Sequence, residues 1–270
     1  MIAKQANVKP WEGKWALITG ASSGIGKELA TQLASHGAHL VLTARRMDRL
    51  KAMAETFQSQ FGTQTLIYGA DLNHPNAPAS IFAFTEEHKV PIDILVNNAG
   101  LGHYGEFYAS PLAEQLSMVQ VHCHATLALT HLFLSGMVKR RAGYVLIVAT
   151  TAVVPAPYIT TYSATKAFEQ LFAEGLAEEV ARYGVLVSAL CPGPTATEMN
   201  TSGVEISEED MKSLQRADDV ARKALDGLAK GERCIRPSMM ARLMANLPRL
   251  LPRATVSGAT ERHYRPKQLN

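Results

Sequence analysis

Tyr162 and Lys166, in Thr161-Tyr-Ser-Ala-Thr-Lys166, lie four residues apart, so on a helix a phenol and an ammonium share one face. A free tyrosine titrates at about pH 10 and is a poor acid or base at neutrality. A lysine cation one turn away favours the phenolate and should pull that value toward the operating pH, where proton transfer is most effective. The spacing therefore predicts a tyrosine proton donor or acceptor tuned by Lys166. The same spacing also describes a solvated pair on an exposed helix, and the surrounding elements must separate the two.

Those elements follow an alternating rhythm. Apolar runs at Trp15 to Thr19, His39 to Thr43, Thr65 to Tyr68, Ile92 to Val96, Tyr144 to Ala149 and Val185 to Leu190 read as strands, with a short seventh near Arg233 to Arg236. Segments of helical period fall near 24–36, 47–60, 78–88, 111–138, 161–182 and 217–229. Strands alternating with crossover helices predict an α/β protein with a parallel sheet. At 270 residues, with 47% hydrophobic and 19% charged residues, the chain suits one domain with a large core. We expect that domain over 1–236 and an apolar, basic extension over 237–270.

The first strand runs directly into Thr19-Gly-Ala-Ser-Ser-Gly-Ile-Gly26 and then a helix. Gly20 permits the turn off the strand, Gly24 lets backbone approach a pyrophosphate, and Gly26 allows helix to pack closely on strand. Ser22, Ser23 and Ile25 complete the loop, whose helix-terminal N–H groups favour a phosphate's charge. This context, between strand and helix in the first βαβ unit, predicts a dinucleotide site. Where an acidic residue would bind a ribose 2′-hydroxyl, the chain has Thr43-Ala-Arg45-Arg46. Two guanidinium groups are available there: Arg45 suits a 2′-phosphate, so NADP(H) is expected over NAD(H), and Arg46 either joins it at the cofactor or merely opens a solvated helix.

These residues, with Asp71-Leu72, Asn97-Asn-Ala-Gly100 and Pro192-Gly-Pro-Thr-Ala-Thr197, resemble the short-chain dehydrogenase/reductase superfamily in order and spacing across residues 13 to 200. The resemblance implies a Rossmann-type doubly wound parallel sheet ordered 3-2-1-4-5-6-7, flanked by helices. It implies that Asp71 and Leu72 hold the adenine, that Asn97 braces the central strands, and that Asn98, Ala99 and Gly100 border the cofactor. Pro192, Gly193, Thr195 and Thr197 would surround the nicotinamide and its phosphate. Lys166 would bind the nicotinamide ribose, and residues 198–215 would form a substrate lid.

Two positions depart from the family pattern. The usual serine at the end of the fifth strand is replaced, by the residue count, with Thr150, and Thr151 is the alternative. His122 stands where an asparagine usually completes a proton relay. It is either a modified relay member or a structural histidine taking over the asparagine's kink-forming contact. His122 and His124, two apart on a helix, should point in different directions, and no metal site is expected.

The expected reaction is reversible hydride transfer between NADPH and a carbonyl or secondary alcohol, with Thr150 positioning the substrate oxygen and Tyr162 exchanging its proton. Leu101, His103, Tyr104, Val153, Val154, Pro155, Tyr158 and Met199 should face the substrate, and most are apolar, which suits a lipid-like, 3-oxoacyl or steroid-like compound. The rival is a non-catalytic NADP-binding regulator, which would not need Tyr162 and Lys166. Sugar-nucleotide epimerases of the same superfamily rank below both.

A net charge of +3 argues for no nucleic-acid partner. From Glu232 to Asn270, however, eight basic residues stand against two acidic ones, beside Met239, Met240, Leu243, Met244, Leu247, Leu250 and Leu251. That tail could pack on its own domain or a partner subunit, or touch a membrane surface. The resemblance implies a homodimer or homotetramer. Three widely spaced cysteines suggest a reducing, cytoplasmic setting. The polar N-terminus shows no signal-peptide core, and no apolar run was expected to reach membrane-spanning length.

Overall fold

The computed structural model describes residues 10–151, 153–198 and 214–265. The expected contact at Met199 and most of the expected lid lie outside the described residues. The strands are β1 (Trp15–Thr19), β2 (His39–Ala44), β3 (Thr65–Gly69), β4 (Ile94–Asn97), β5 (Gly143–Val148), β6 (Val185–Leu190) and β7 (Cys234–Ile235). All pair in parallel, in the order β3-β2-β1-β4-β5-β6-β7. The expected α/β architecture and strand order are therefore present.

Successive strand residues point to opposite faces, and the core divides accordingly. Ile18, Leu40, Leu42, Val96 and Leu146 pack under α1 (Gly24–Ser35), α2 (Met47–Phe61) and α7 (Ala217–Ala229). Leu17, Val41, Leu95, Val145 and Ile147 pack against α3 (Ala77–Glu87), α5 (Thr126–Arg140) and α6 (Thr160–Val180). Burial on both faces explains why these strands read as near-continuous apolar runs.

The long helix expected at 111–138 is composite. Helix α4 (Leu112–Met118) passes through a π-turn at Val119–Ala125 before α5 resumes ordinary winding. The stretch Leu112–Arg140, 29 residues containing an 18-residue window of mean hydropathy 1.2, is by length and composition alone apolar enough to cross a membrane. The sequence shows no uninterrupted apolar run of that length because polar residues are scattered along this helix. Leu129, Phe133 and Met137 occupy the core beneath the sheet, so the fold itself covers one face of this helix.

Beyond β7 the tail is helical, with α8 (Met239–Asn246), a 3-10 turn at Leu247–Leu250 and α9 (Arg253–Tyr264). The Ser238 hydroxyl caps α8 by accepting from the Ala241 N–H at 3.0 Å. In α8 only Ala241 is buried, whereas Met239, Met240 and Leu243 are exposed. Packing on its own domain is therefore not what holds most of the α8 side chains.

Candidate active site

Strand β1 neighbours both β2 and β4, so the chain reverses direction across the sheet at β1 and β4. Ligands of open α/β sheets bind outside the carboxyl ends of the strands at such a switch point. The glycine loop leaves β1 at this place. Ser23 opens α1 without a side-chain capping bond, leaving first-turn N–H groups uncapped. Gly24 has φ +55°, and a Cβ there would stand 3.0 Å from Thr197 Cγ2. A groove of about 690 Å³ lined by Ser22, Ser23, Gly24, Lys27 and Thr197 runs past this mouth. Uncapped donors, a side-chain-free wall and a ligand-sized groove fit a bound phosphate group.

Asn98 holds the loop from the neighbouring strand. Its backbone N–H donates to Thr19 Oγ1 at 2.9 Å and its side-chain amide donates to the Thr19 carbonyl at 2.8 Å. A Cβ on Gly26 would lie 2.3 Å from that amide nitrogen, which is why glycine is needed there. The bracing role expected of Asn97 therefore divides between two residues. Asn97 donates to Thr130 Oγ1 on α5 at 3.0 Å, tying strand to helix, while Asn98 ties β4 to β1.

The remaining expected contacts rim the same edge. Ala99 donates its N–H to Thr19 Oγ1 at 3.0 Å, and Gly100 follows it, half-buried. Asp71 is exposed and accepts from the Asn73 N–H at 3.0 Å, beside buried Leu72. Pro192 and Gly193 leave the end of β6, and Thr195 donates to the Gly193 carbonyl at 2.9 Å.

The two arginines differ in their surroundings. Arg45 is exposed at the end of β2. Arg46 does not simply open a solvated helix: it donates to Ser22 Oγ at 2.9 Å and to Ser23 Oγ at 2.8 Å. It also bonds Glu198 at 2.6 Å, and Arg49 grips the same carboxylate. These bonds hold the Glu198 carboxyl down at about 2. The guanidinium reached the loop because β2 ends one strand away from β1, a proximity invisible in the residue spacing.

Tyr162 and Lys166 project from the first turns of α6 across the end of β5. Thr150 follows β5, and its hydroxyl bonds the Tyr162 phenol, an interaction that favours the phenolate. Thr151 is committed elsewhere, donating to the Pro192 carbonyl at 3.2 Å. Thr150 rather than Thr151 thus meets the geometric requirement. Lys166 is buried, with Nζ 6.0 Å from the Tyr162 ring centroid, donating to the Val148 carbonyl at 2.8 Å.

Its third contact was not anticipated. Glu169, also buried, accepts from Lys166 Nζ at 2.7 Å. Burial raises the Tyr162 phenol, and the pull of Lys166 is opposed by Glu169, so the net direction is above the ordinary 10. Lys166 pulls the phenol down, as the spacing predicts, but burial and Glu169 outweigh that pull. Burial pushes Glu169 up to about 7 against the pull of Lys166. The i, i+3 spacing of Lys166 and Glu169 was the available signal; its burial was not legible.

The π-turn turns His122 inward, and its ring is wholly buried, edge-on to Tyr162 with centroids 5.9 Å apart. Nε2 accepts from the Leu101 N–H at 3.0 Å, which fixes the proton on Nδ1. Nδ1 then donates to Thr165 Oγ1 at 2.8 Å, and that hydroxyl donates to the Tyr162 carbonyl at 2.9 Å. Burial and then the Lys166 charge drive the imidazole well below 6.5, so it is neutral. Both ring nitrogens are occupied by structural bonds, which favours the structural reading of His122 over the relay. His124 is exposed, on another face of the turn.

Helix α9 returns over this cluster. Tyr158 donates to Glu261 at 3.0 Å, Thr260 donates to the Pro155 carbonyl at 2.6 Å, and Tyr104 donates to the Tyr264 carbonyl at 2.7 Å. Burial and the nearby Tyr162 raise the Tyr264 phenol. Glu261 and Tyr264 were missed because α9 carries almost no amphipathic pattern. His103 ties to Glu114 and, at 2.7 Å, to Ser110.

Residues 14–207 match the short chain dehydrogenase family, taking in the glycine loop, Thr150, Tyr162, Lys166 and Thr197. The chain belongs to that family. Within it, a very-long-chain 3-oxoacyl-CoA reductase of Laccaria bicolor is 36% identical over 182 residues, 66% of this chain and 54% of its own length. The Bos taurus protein of the same name is 33% identical over 203 residues, 73% of this chain and 64% of its own. The chain thus spans little more than half the length of such relatives. A short-chain dehydrogenase from Sphingobium yanoikuyae, solved in complex with NADPH, is 27% identical and superposes with a TM-score of 0.79 over 90% of this chain and 95% of its own. Helices α7, α8 and α9 lie beyond the residues that match the short-chain dehydrogenase family.

Proposed function

We propose that this protein is an NADP(H)-dependent oxidoreductase that interconverts an apolar carbonyl compound and its secondary alcohol. The observation carrying this reading is the Thr150–Tyr162–Lys166 cluster set beside an uncapped glycine-loop helix at the switch point of the sheet. The loop Gly20, Ser22, Ser23, Gly24, Ile25 and Gly26 would hold the pyrophosphate, with Arg45 and Arg46 toward a 2′-phosphate. Asp71 and Leu72 would meet the adenine. Asn98, Ala99, Gly100, Pro192, Gly193, Thr195 and Thr197 would line the nicotinamide half. When bound, the nicotinamide supplies or accepts the hydride.

The chain's own residues handle the oxygen and the proton. The Thr150 hydroxyl orients the substrate oxygen, Tyr162 gives its phenolic proton to that oxygen during reduction, and the Lys166 ammonium steadies the resulting phenolate. Apolar Leu101, Val153 and Val154, roofed by α9, suit a greasy substrate. Relatives named very-long-chain 3-oxoacyl-CoA reductase support a 3-oxoacyl or comparably lipid-like compound.

Surface chemistry supports two further assignments. Exposed Leu116 and Leu127 beside α4 and α5, with Leu171 on α6, support a homodimer or homotetramer built on those helices. The exposed apolar residues of α8, with Arg242 and the +6 tail, favour an anionic lipid surface as the partner of that helix.

The deciding experiment titrates the purified protein with NADPH and NADH by calorimetry and then follows NADPH oxidation with apolar ketones and 3-oxoacyl thioesters. Tight NADPH binding with turnover that Tyr162→Phe abolishes is expected. Binding without turnover on any carbonyl would favour a cofactor-sensing regulator, and no binding would overturn the reading.

A further inference from the structure

Helix α6 places Tyr162, Lys166 and Glu169 at positions i, i+4 and i+7, on one face. A carboxylate is expensive to bury, and Glu169 is 1% exposed. Its oxygens have named partners: Oε2 lies 2.7 Å from Lys166 Nζ, and Oε1 accepts a long bond from Thr126 Oγ1 at 3.5 Å. Lys166 is held between this carboxylate and the Val148 carbonyl, a fixed position beside the Tyr162 ring.

The groups facing the pair come from each packed element. His122 and Cys123 stand on the π-turn, Thr126 on α5, Thr150 after β5, Tyr162 on α6 itself and Tyr264 on α9. His122 is neutral, burial pushes the Cys123 thiol up to about 11, and both phenols are raised, so none of these carries charge at neutral pH. Among the described residues, Glu169 alone supplies a negative charge against Lys166 in this pocket. With Glu169 ionised, the lysine is largely neutralised as seen from Tyr162, and the phenolate loses its main support. With Glu169 removed, the full ammonium charge acts on the phenol.

We propose that Glu169 is a positioning residue that clamps Lys166 in a buried ion pair and keeps Tyr162 in its proton-carrying form, favouring carbonyl reduction up to alkaline pH. This rests on the reductase reading above for its catalytic consequence, though not for the electrostatic relation itself. Two measurements on the full chain therefore test it separately.

The first is the pH profile of kcat/KM for ketone reduction by the wild type, Glu169→Gln and Glu169→Asp. The alkaline limb of Glu169→Gln is expected to fall by about one pH unit or more, while Glu169→Asp, which keeps the charge, retains the wild-type limb. A uniform loss of rate with an unmoved limb would make Glu169 a packing residue and overturn the proposal. The second is an ultraviolet difference titration of tyrosinate in the wild type against Tyr162→Phe, which needs no turnover and no Glu169 variant. The signal lost in Tyr162→Phe is expected to titrate above that of an ordinary exposed tyrosine. A midpoint below it would overturn the proposal even if the substrate were never found.

Discussion

The Thr165 hydroxyl joins the His122 imidazole to the carbonyl of Tyr162, lying 2.8 Å from Nδ1 and 2.9 Å from that oxygen. The histidine thus fixes the backbone that carries the candidate acid, while both its ring nitrogens bond groups other than the phenolic hydroxyl. His122→Asn should keep kcat within a few-fold and leave the pH profile of activity unmoved. A changed profile, measured by initial rates across pH, would restore the relay reading.

The same residue should make stability depend on pH. Its folded value lies below the unfolded 6.5, so the unfolded chain takes up a proton that the folded protein refuses. The stabilisation is present above 6.5 and is lost as pH falls, by up to about 1.4 kcal/mol per pH unit. Denaturant melts at pH 7 and pH 5 should show a smaller difference for His122→Asn than for the wild type.

Thr150 and Thr151 should separate cleanly. Loss of the hydroxyl in Thr150→Val is expected to lower kcat by about 10²-fold with little effect on melting, because that group faces the phenol. Thr151→Val removes a bond to the Pro192 carbonyl and should cost about 1 kcal/mol of stability while leaving kcat close to wild type. Steady-state kinetics beside thermal melts decide it.

The glycine loop offers a contrast between binding and folding. Gly24→Ala puts a methyl group 3.0 Å from Thr197 Cγ2 at a positive φ, and should weaken NADPH binding measured by calorimetry. Gly26→Ala drives a methyl group into Asn98 Nδ2 and the Gly20 carbonyl, 2.3 and 2.6 Å away. It should destabilise the fold by about 1–3 kcal/mol, the range of overpacked sites.

At the mouth of the groove, Arg45→Ala is expected to weaken NADPH at least tenfold and leave NADH unchanged, as loss of a charge-assisted phosphate contact would. Glu198→Gln should tighten NADPH, since it releases Arg46 and Arg49 from a competing carboxylate. If calorimetry instead finds both cofactors equally affected by Arg45→Ala, the 2′-phosphate assignment falls.

What the sequence made legible followed from strong periodicity. The apolar runs of β1 and β6 and the helical period of α7 gave the observed boundaries, because burial on one or both faces dictated them locally. The glycine loop and the Tyr162–Lys166 pair were legible because their function requires fixed spacing. The π-turn was not, since one extra residue in a helix scarcely disturbs its pattern. Glu169 drew no notice, because an acidic residue three after a lysine is common on exposed helices, and its burial follows only from the packing of α6 against β6 and the π-turn. The bonds of Arg46 to the glycine loop were not legible, because its partners sit 23 and 24 residues earlier, at the end of the neighbouring strand.

Helix α9 meets the site through bonds that close chain segments of 103, 105 and 160 residues. Contacts so distant along the chain are slow to form, because the entropy of closing the loop must be met before the bond rewards it. A chain emerging from the ribosome could complete the sheet and seat Tyr162 well before Tyr264 arrives. Helix α9 is therefore built after the Tyr162 cluster that it covers, and a nascent chain stopped before α9 would hold that cluster in an open bowl.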